Sequence, residues 1–268
     1  MKPLAEQTIL VTGATDGLGR AVAGRLAKSG ATVLLHGRDP QRLSEAAEEI
    51  GAARTYTADF ASLAQVREMA RAITAGEDRL DGLVNNAGIG TAEPGGGERL
   101  ESEDGHELRF QVNYLAHYLL TKELLSSIQR SAPARIVNVS SAGQMPIDFD
   151  DPMLERGYSG VRAYCQSKLA QVMFTVDLAE QLRGDGVTVN CLHPATYMPT
   201  KMVKAAGATP ASTIEEGTDA TLRLVSDPDL DDVTGSYFNG MREARADAQA
   251  YDPSARMRLR DVSERLVA

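Results

Sequence analysis

The chain contains no tryptophan, only two cysteines, and aromatic side chains at just 5% of its 268 residues. Two thiols, Cys165 and Cys191, are too few for a disulfide-dense secreted scaffold. Positive charge is also short: 28 Lys and Arg face 37 Asp and Glu, a formal net charge of −9. An acidic chain without basic clusters is poorly suited to nucleic acid or to an anionic membrane surface, both of which need concentrated Lys and Arg. No apolar run nears the ~20 residues that span a bilayer. The amino terminus, Met1-Lys2-Pro3, reaches a strand-like run by Thr8 and leaves no room for a signal peptide. His106, His117 and His193 lack metal-like spacing, so no metal site is expected. Together these absences point to a soluble chain in a reducing, cytoplasmic compartment.

What is present is a regular alternation. Thr8–Val11, Ala31–Leu35, Arg54–Ala58, Leu83–Val84, Arg135–Val139 and Val187–Leu192 read as strands, and most are short and near-continuously apolar, as buried parallel strands are. Helix punctuation lies between them. Asp39-Pro40 is an N-cap followed by proline at the first helical position, and Gly51 closes that helix. Ser62 opens the next, Gly184 ends a long one beginning near Val161, and Ser212-Thr213-Ile214-Glu215 has capping-box spacing. This order predicts an α/β fold: a doubly wound (Rossmann) parallel sheet flanked by helices on both faces. Chains of roughly 250 residues often form one such domain, so residues 1–268 are expected to form a single unit. Three stretches break the rhythm. Gly90–Gly105 reads as a solvated surface loop, whereas Gln144–Gly160 and Thr196–Pro210 interrupt segments that carry chemistry and are candidate site walls.

Directly after the first strand comes Thr12-Gly13-Ala14-Thr15-Asp16-Gly17-Leu18-Gly19. A dinucleotide pyrophosphate needs backbone N–H groups at a helix N-terminus, and glycine where side chains would block its approach. Gly13 suits the tight turn, Gly17 the close approach and Gly19 the packing of helix on strand. Thr15, Asp16 and Leu18 complete the cofactor-facing loop. Four further motifs follow: Asn85-Asn86-Ala87-Gly88, a helical Asn113, Ile136-Val137-Asn138-Val139-Ser140-Ser141, and Tyr164-Cys165-Gln166-Ser167-Lys168. In this set the chain resembles the short-chain dehydrogenase/reductase family, and in Ala163–Lys168, Leu178–Leu182 and Val187–Pro194 its retinol-dehydrogenase-like branch. The resemblance implies an oxidoreductase that moves a hydride between a nicotinamide cofactor and a small carbonyl or alcohol substrate. It also implies contacts to the cofactor from Asn86, Ala87 and Gly88, from Asp59 (to the adenine) with its neighbour Phe60, and from Pro194 and Tyr197. Family members often pair through the helices that hold Asn113 and Tyr164, giving a homodimer or homotetramer.

The second strand runs out as His36-Gly37-Arg38. An NAD enzyme normally offers Asp or Glu here to the ribose hydroxyls. Glycine followed by arginine instead suits a 2′-phosphate, which a guanidinium grips with charge-assisted, often bidentate bonds. NADP, with NADPH preferred over NADH, is therefore expected. Asp39 reads as the helix cap and not as a ribose ligand. His36 is either a wall of the phosphate pocket or a packing residue.

Tyr164 and Lys168 lie four apart and share a helix face. A phenol of ordinary pKa near ~10 is a weak base at neutral pH, and a neighbouring ammonium lowers it. By the resemblance, Tyr164 is the general acid/base, Lys168 also holds the nicotinamide ribose, Ser141 binds the substrate oxygen, and Asn113 holds a water that relays protons to Lys168. Ser140 is then a strand-end residue. Cys165, one position from Tyr164, should point about 100° away from the catalytic face. One departure stands out: where the family has Pro-Gly after the sixth strand, this chain has Pro194-Ala195, then Thr196-Tyr197-Met198-Pro199-Thr200. Met145, Met153, Tyr158, Tyr197, Met198 and Met202 suggest an apolar substrate pocket, or equally ordinary packing. A non-catalytic NADP-binding regulator of the same fold is the alternative reading. An extended-family epimerase or dehydratase is disfavoured by the glycine-loop pattern and by the short chain after the sixth strand.

Overall fold

The computed structural model describes residues 1–268. Its strands are β1 (Thr8–Val11), β2 (Thr32–Gly37), β3 (Arg54–Thr57), β4 (Gly82–Asn85), β5 (Ala134–Val139), β6 (Val187–His193), β7 (Tyr237–Asn239) and β8 (Arg242–Ala244). They form one sheet in the order β3-β2-β1-β4-β5-β6-β7-β8, parallel throughout except for the final β7–β8 pair. The doubly wound fold is thus as the alternation predicts. The last two strands, β7 and β8, are not predicted, because three-residue strands carry too little pattern to separate from turns.

Side chains alternate between the two faces of the sheet, so each strand feeds two cores. Leu10, Leu34, Leu83, Ile136 and Val189 join a cluster of 40 buried residues with α3 (Leu63–Gly76), α5 (Ala116–Arg130), α6 (Gly160–Gln181) and α9 (Pro253–Leu266). Ile9, Val11, Val33, Leu35, Val84 and Val137 join a second cluster of 22 with α1 (Gly17–Lys28), α2 (Pro40–Ile50) and α8 (Ile214–Ser226). Two smaller helices, α4 (Leu108–Phe110) and α7 (Lys201–Ala205), flank the site described below. α9 lies across α5 and α6. Its Arg260 makes a two-bonded pair with Asp177 (2.6 and 3.0 Å), Arg256 reaches Glu180 at 2.8 Å, and Ser263 meets the Tyr114 hydroxyl at 2.6 Å.

The helix starts test the punctuation closely. Asp39 caps α2, accepting from the Gln41 and Arg42 amides, and Gly51 ends the helix with φ +71°. At α3 the cap differs: the Ser62 hydroxyl makes no capping bond, and Asp104 accepts the Leu63 amide instead at 2.9 Å. The capping box of α8 is one residue later than its spacing suggests, Thr213 with Glu216. The reason is local. Ser212 spends its hydroxyl on the Thr196 carbonyl, 2.6 Å away. α6 ends at Gln181, just before the left-handed Gly184.

Candidate active site

The strand order reverses between β1 and β4, and an open α/β sheet binds ligands at the carboxyl ends of its strands at such a switch point. A cavity of about 1030 Å³ occupies that place. Gly13, Thr15, Asp16, Gly17, Leu18, Gly19, Arg38, Asp59, Phe60, Asn86, Ala87, Gly88, Ser141, Tyr164, Lys168, Pro194 and Tyr197 all line it. Asn113 does not. It is wholly buried behind the wall.

At one end of the cavity the backbone sets the shape. Gly13 adopts φ +64°, and a Cβ there would stand 2.8 Å from Ala87 Cα. The Thr12 hydroxyl accepts the amides of Asn86 (2.8 Å) and Ala87 (3.0 Å), while Asn86 Nδ2 returns a bond to the Thr12 carbonyl at 2.8 Å. The glycine loop and the Asn-Asn-Ala-Gly segment are therefore stitched into one surface. A Cβ on Gly37 would lie 2.5 Å from Thr15 Cγ2, so a side chain there would have to displace Thr15. Arg38 beside it is exposed, lines the cavity and has no ion-pair partner in the protein. Asp59 Oδ1 accepts the Ala61 amide at 2.9 Å, and the Phe60 ring stacks on His36 at 4.2 Å. A dinucleotide fits such a cradle: glycine clears its path, the N-terminus of α1 opens onto it, and a free guanidinium waits at the second-strand end.

Asp16 needs its own account. Its carboxylate caps α1 through the Gly17 amide (2.8 Å) and also binds Arg42 Nη2 (3.0 Å) and Lys201 Nζ (2.8 Å). The Lys201 bond above all holds the Asp16 carboxyl below its ordinary pKa. Asp16 thus lines the cavity with its side chain already engaged by cations, which reduces the negative charge it presents there.

At the other end, Tyr164 and Ser141 face one another around Gly143: a Cβ on Gly143 would be 3.6 Å from Ser141 Oγ and 3.8 Å from Tyr164 Cε1. Lys168 Nζ donates to the Val139 carbonyl (3.0 Å) and to Gln171 Oε1 (2.9 Å), and sits 5.7 Å from the centre of the Tyr164 ring. Burial pushes the Lys168 ammonium down to about 7. Burial also raises the Tyr164 phenol, with the Ser141 hydroxyl pulling the other way. The expected lowering of the phenol by its lysine does not appear in the protein by itself: desolvation of the hydroxyl raises it, and the opposing pull comes from Ser141. Ser140 donates to the Lys168 carbonyl at 2.8 Å, a strand-end role as expected. Asn113 sits in a π-helical turn, Gln111–Leu115, between α4 and α5. Its Oδ1 accepts the Ile89 amide at 2.8 Å, and its Nδ2 donates to the Ile89 carbonyl (3.2 Å) and Ser167 Oγ (3.0 Å). A Cβ on Gly88 would lie 3.1 Å from Asn113 Oδ1 and 3.7 Å from Lys168 Nζ, so the two groups meet across that glycine.

Several expectations about the walls need correction. Gly90–Gly105 is no bystander: Gly90, Thr91, Pro94, Glu101, Ser102 and Glu103 line the cavity, and the buried Arg109 grips the carbonyls of Gly90, Thr91 and Pro94. Of the proposed apolar set, Tyr197, Met198 and Met202 reach the cavity while Met145, Met153 and Tyr158 do not. Cys165 does reach it, despite its helical offset from Tyr164, though burial raises its thiol pKa and leaves it unreactive. Both cysteines are free. Thr200 caps α7 through the Val203 amide and also lines the cavity. Sequence reasoning missed Arg42, one helical turn beyond Arg38, and the hub role of Thr12. Arg42 was legible in principle, since Asp39 as N-cap puts it in the first turn of α2.

A family model described as short chain dehydrogenase matches residues 7–211. Retinol dehydrogenase 13 of Mus musculus is 37% identical over 285 residues, spanning 97% of this chain and 84% of that one. Among solved structures, the Pseudomonas aeruginosa RhlG/NADP active-site complex aligns with a TM-score of 0.71 at 27% identity, covering 89% of this chain and 97% of that one. The 3-ketoacyl-(acyl-carrier-protein) reductase from Brucella melitensis complexed with NADH aligns at 0.70 and 27%, covering 88% and 97%. Cavity, motifs and kinship agree on an oxidoreductase with a nicotinamide cofactor, and the chain belongs to the short-chain dehydrogenase family.

Proposed function

We propose that the protein transfers a hydride between NADP(H) and a small apolar carbonyl or alcohol, with Tyr164 as general acid/base. The observation that carries the cofactor choice is Gly37. The acidic ribose ligand of an NAD enzyme is absent there and would have to push Thr15 aside, and the unpaired Arg38 stands next to it. The solved neighbours include one complex with NADP and one with NADH, so kinship leaves this choice to the chain's own residues.

Bound in the cradle, the cofactor supplies or takes the hydride. Arg38 would hold the 2′-phosphate, Gly13–Gly19 the pyrophosphate, Asp59 and Phe60 the adenine, Asn86–Gly88 and Lys168 the ribose next to the nicotinamide, and Pro194 and Tyr197 the nicotinamide itself. Ser141 donates to the substrate oxygen where negative charge develops. Tyr164 gives its phenolic proton to that oxygen in reduction and takes it back in oxidation. Lys168, charged, favours the phenolate, and Asn113 supports the proton path behind it. Ile89, Val161, Met198 and Met202 give the remaining wall an apolar character suited to an apolar substrate.

Two measurements test this reading. NADPH and NADH are titrated by fluorescence, and NADPH oxidation is followed with a panel of aliphatic and aromatic aldehydes, ketones and retinal, the last because of the name its relative bears. We expect NADPH to bind at least ~10-fold more tightly, one charge-assisted phosphate bond being worth roughly 1.5–3 kcal/mol, and at least one carbonyl to be turned over. Equal or tighter NADH binding would overturn the cofactor assignment. Tight NADPH binding with no turnover across the panel would favour the NADP-binding regulator.

A further inference from the structure

We infer that His117 is a positioning residue: its imidazole, locked in a single tautomer, holds the Asn113 carbonyl in the wide helical turn and thereby aims the Asn113 amide at Ile89. His117 lies four residues after Asn113, is 1% exposed, and its Nδ1 stands 2.9 Å from the Asn113 carbonyl oxygen. A carbonyl only accepts, so Nδ1 carries the proton and Nε2 is left as an acceptor. Nε2 faces the Thr12 hydroxyl at 3.3 Å. That hydroxyl is the one that gathers the Asn86 and Ala87 amides. One imidazole therefore ties the turn carrying Asn113 to the hub joining the glycine loop and the Asn-Asn-Ala-Gly segment.

The ring has little freedom to leave this arrangement. It meets Phe60 at a right angle (centroids 5.2 Å apart, planes at 84°), and Phe60 is in turn stacked on His36. His36 is fixed in the opposite tautomer: the Gly13 amide donates to its Nδ1 at 3.3 Å, and its Nε2 donates to the Ala58 carbonyl at 3.0 Å. Burial lowers both histidines, His36 to about 4 and His117 to about 3, so both stay neutral where the enzyme would work. A π-helical turn loosens the regular carbonyl ladder, and a side-chain donor there decides how the turn sits. The amide of Asn113 has three bonds that depend on that setting, two to Ile89 and one to Ser167.

The kinetic consequence rests on the proposed part of Asn113 in the proton path, but the structural consequence does not, and the two are tested separately. Three variants suffice. His117→Asn keeps an amide N–H near the place of Nδ1. His117→Gln places its amide near Nε2 instead, and His117→Phe removes both nitrogens. The first readout is hydrogen exchange at the Ile89 amide, which donates to Asn113 Oδ1. We expect exchange about tenfold faster in His117→Phe and His117→Gln, near-normal exchange in His117→Asn, and unchanged exchange across β5. Normal Ile89 exchange in the Phe and Gln variants overturns the inference. Equal loss of protection at Ile89 and β5 also overturns it, since that is general destabilisation. Should His117→Phe not fold, the Asn–Gln contrast decides alone. The second readout is turnover of whichever carbonyl the panel identifies. kcat should fall about 10- to 100-fold in the Phe and Gln variants, with the NADPH KM within about twofold and recovery in the Asn variant. Asn113→Ala with normal turnover would defeat the proton-path reading and leave the Ile89 result standing.

Discussion

The two ends of the cavity are built by different means. At the cofactor end, backbone and buried rings leave little latitude: a side chain on Gly37 would meet Thr15, Gly13 is pressed against Ala87, and His36 is pinned at both nitrogens. The rest of the wall is loop, Gly90–Glu103 and Thr196–Ala208, where Tyr197 is 54% exposed and the lysine that opens α7 is held by a surface ion pair to Asp16. A surface set by packed backbone resists point mutation. One set by side chains on loops changes easily, which is how one fold serves many substrates.

The sharpest way to test this division is to abolish chemistry without touching either wall. Tyr164→Phe should lower turnover by about 10²–10⁴-fold while the NADPH dissociation constant, read by fluorescence, stays within about twofold. A matching loss of affinity would show that the tyrosine belongs to the cofactor end. Next, Arg38→Asp should erase or reverse the NADPH preference, a change of roughly 10- to 100-fold in the ratio of the two affinities, with kcat at saturating cofactor little altered. An unchanged ratio would remove Arg38 from the 2′-phosphate site.

Lys168 tests the boundary between the ends through its titration. Its folded pKa of about 7 lies below the ordinary 10.5, so across that interval the unfolded chain holds a proton that the folded chain has released. Stability contributed by this residue therefore rises as pH climbs through the interval, and the burial cost is greatest below it. Lys168→Met should raise the melting temperature, by more near about pH 6 than near about pH 9, with each kcal/mol relieved worth roughly 2–4 °C in a chain of this size. A pH-independent difference would mean the ammonium is not desolvated as described. The same variant should lose turnover and cofactor affinity together. The smallest effect is expected at Asp16→Asn, which frees Arg42 and Lys201 at once. Because all three groups are partly exposed, each pair contributes at most about 1 kcal/mol, and NADPH affinity should rise by less than about fivefold. Weaker NADPH binding would mean that Asp16 aids the cofactor directly.

What could be read from the residues follows the same division. Strands one to six, the glycine loop and the Tyr–Lys pair announce themselves through short-range rules: brief apolar runs, turn glycines and helical spacing. The capping box slipped by one residue because Ser212 is claimed by the distant Thr196 carbonyl, a tertiary contact invisible locally. Gly90–Gly105 resembles any polar loop until Arg109, buried beneath it, is seen to gather its carbonyls. The phenol of Tyr164 defied its expected shift for the same kind of reason. Spacing identifies a neighbour, but only the packed structure shows how dry the site is.

The placement of α9 bears on assembly. Pairing through the helices that carry Asn113 and Tyr164 would need the flank of α5 and α6 that α9 already covers. A second copy approaching there would have to lift this helix away, baring Ala255 and Leu259 and separating Asp177 from Arg260. The chain thus closes that flank with its own C-terminal region, held by the Arg260–Asp177 pair and the Ser263–Tyr114 bond.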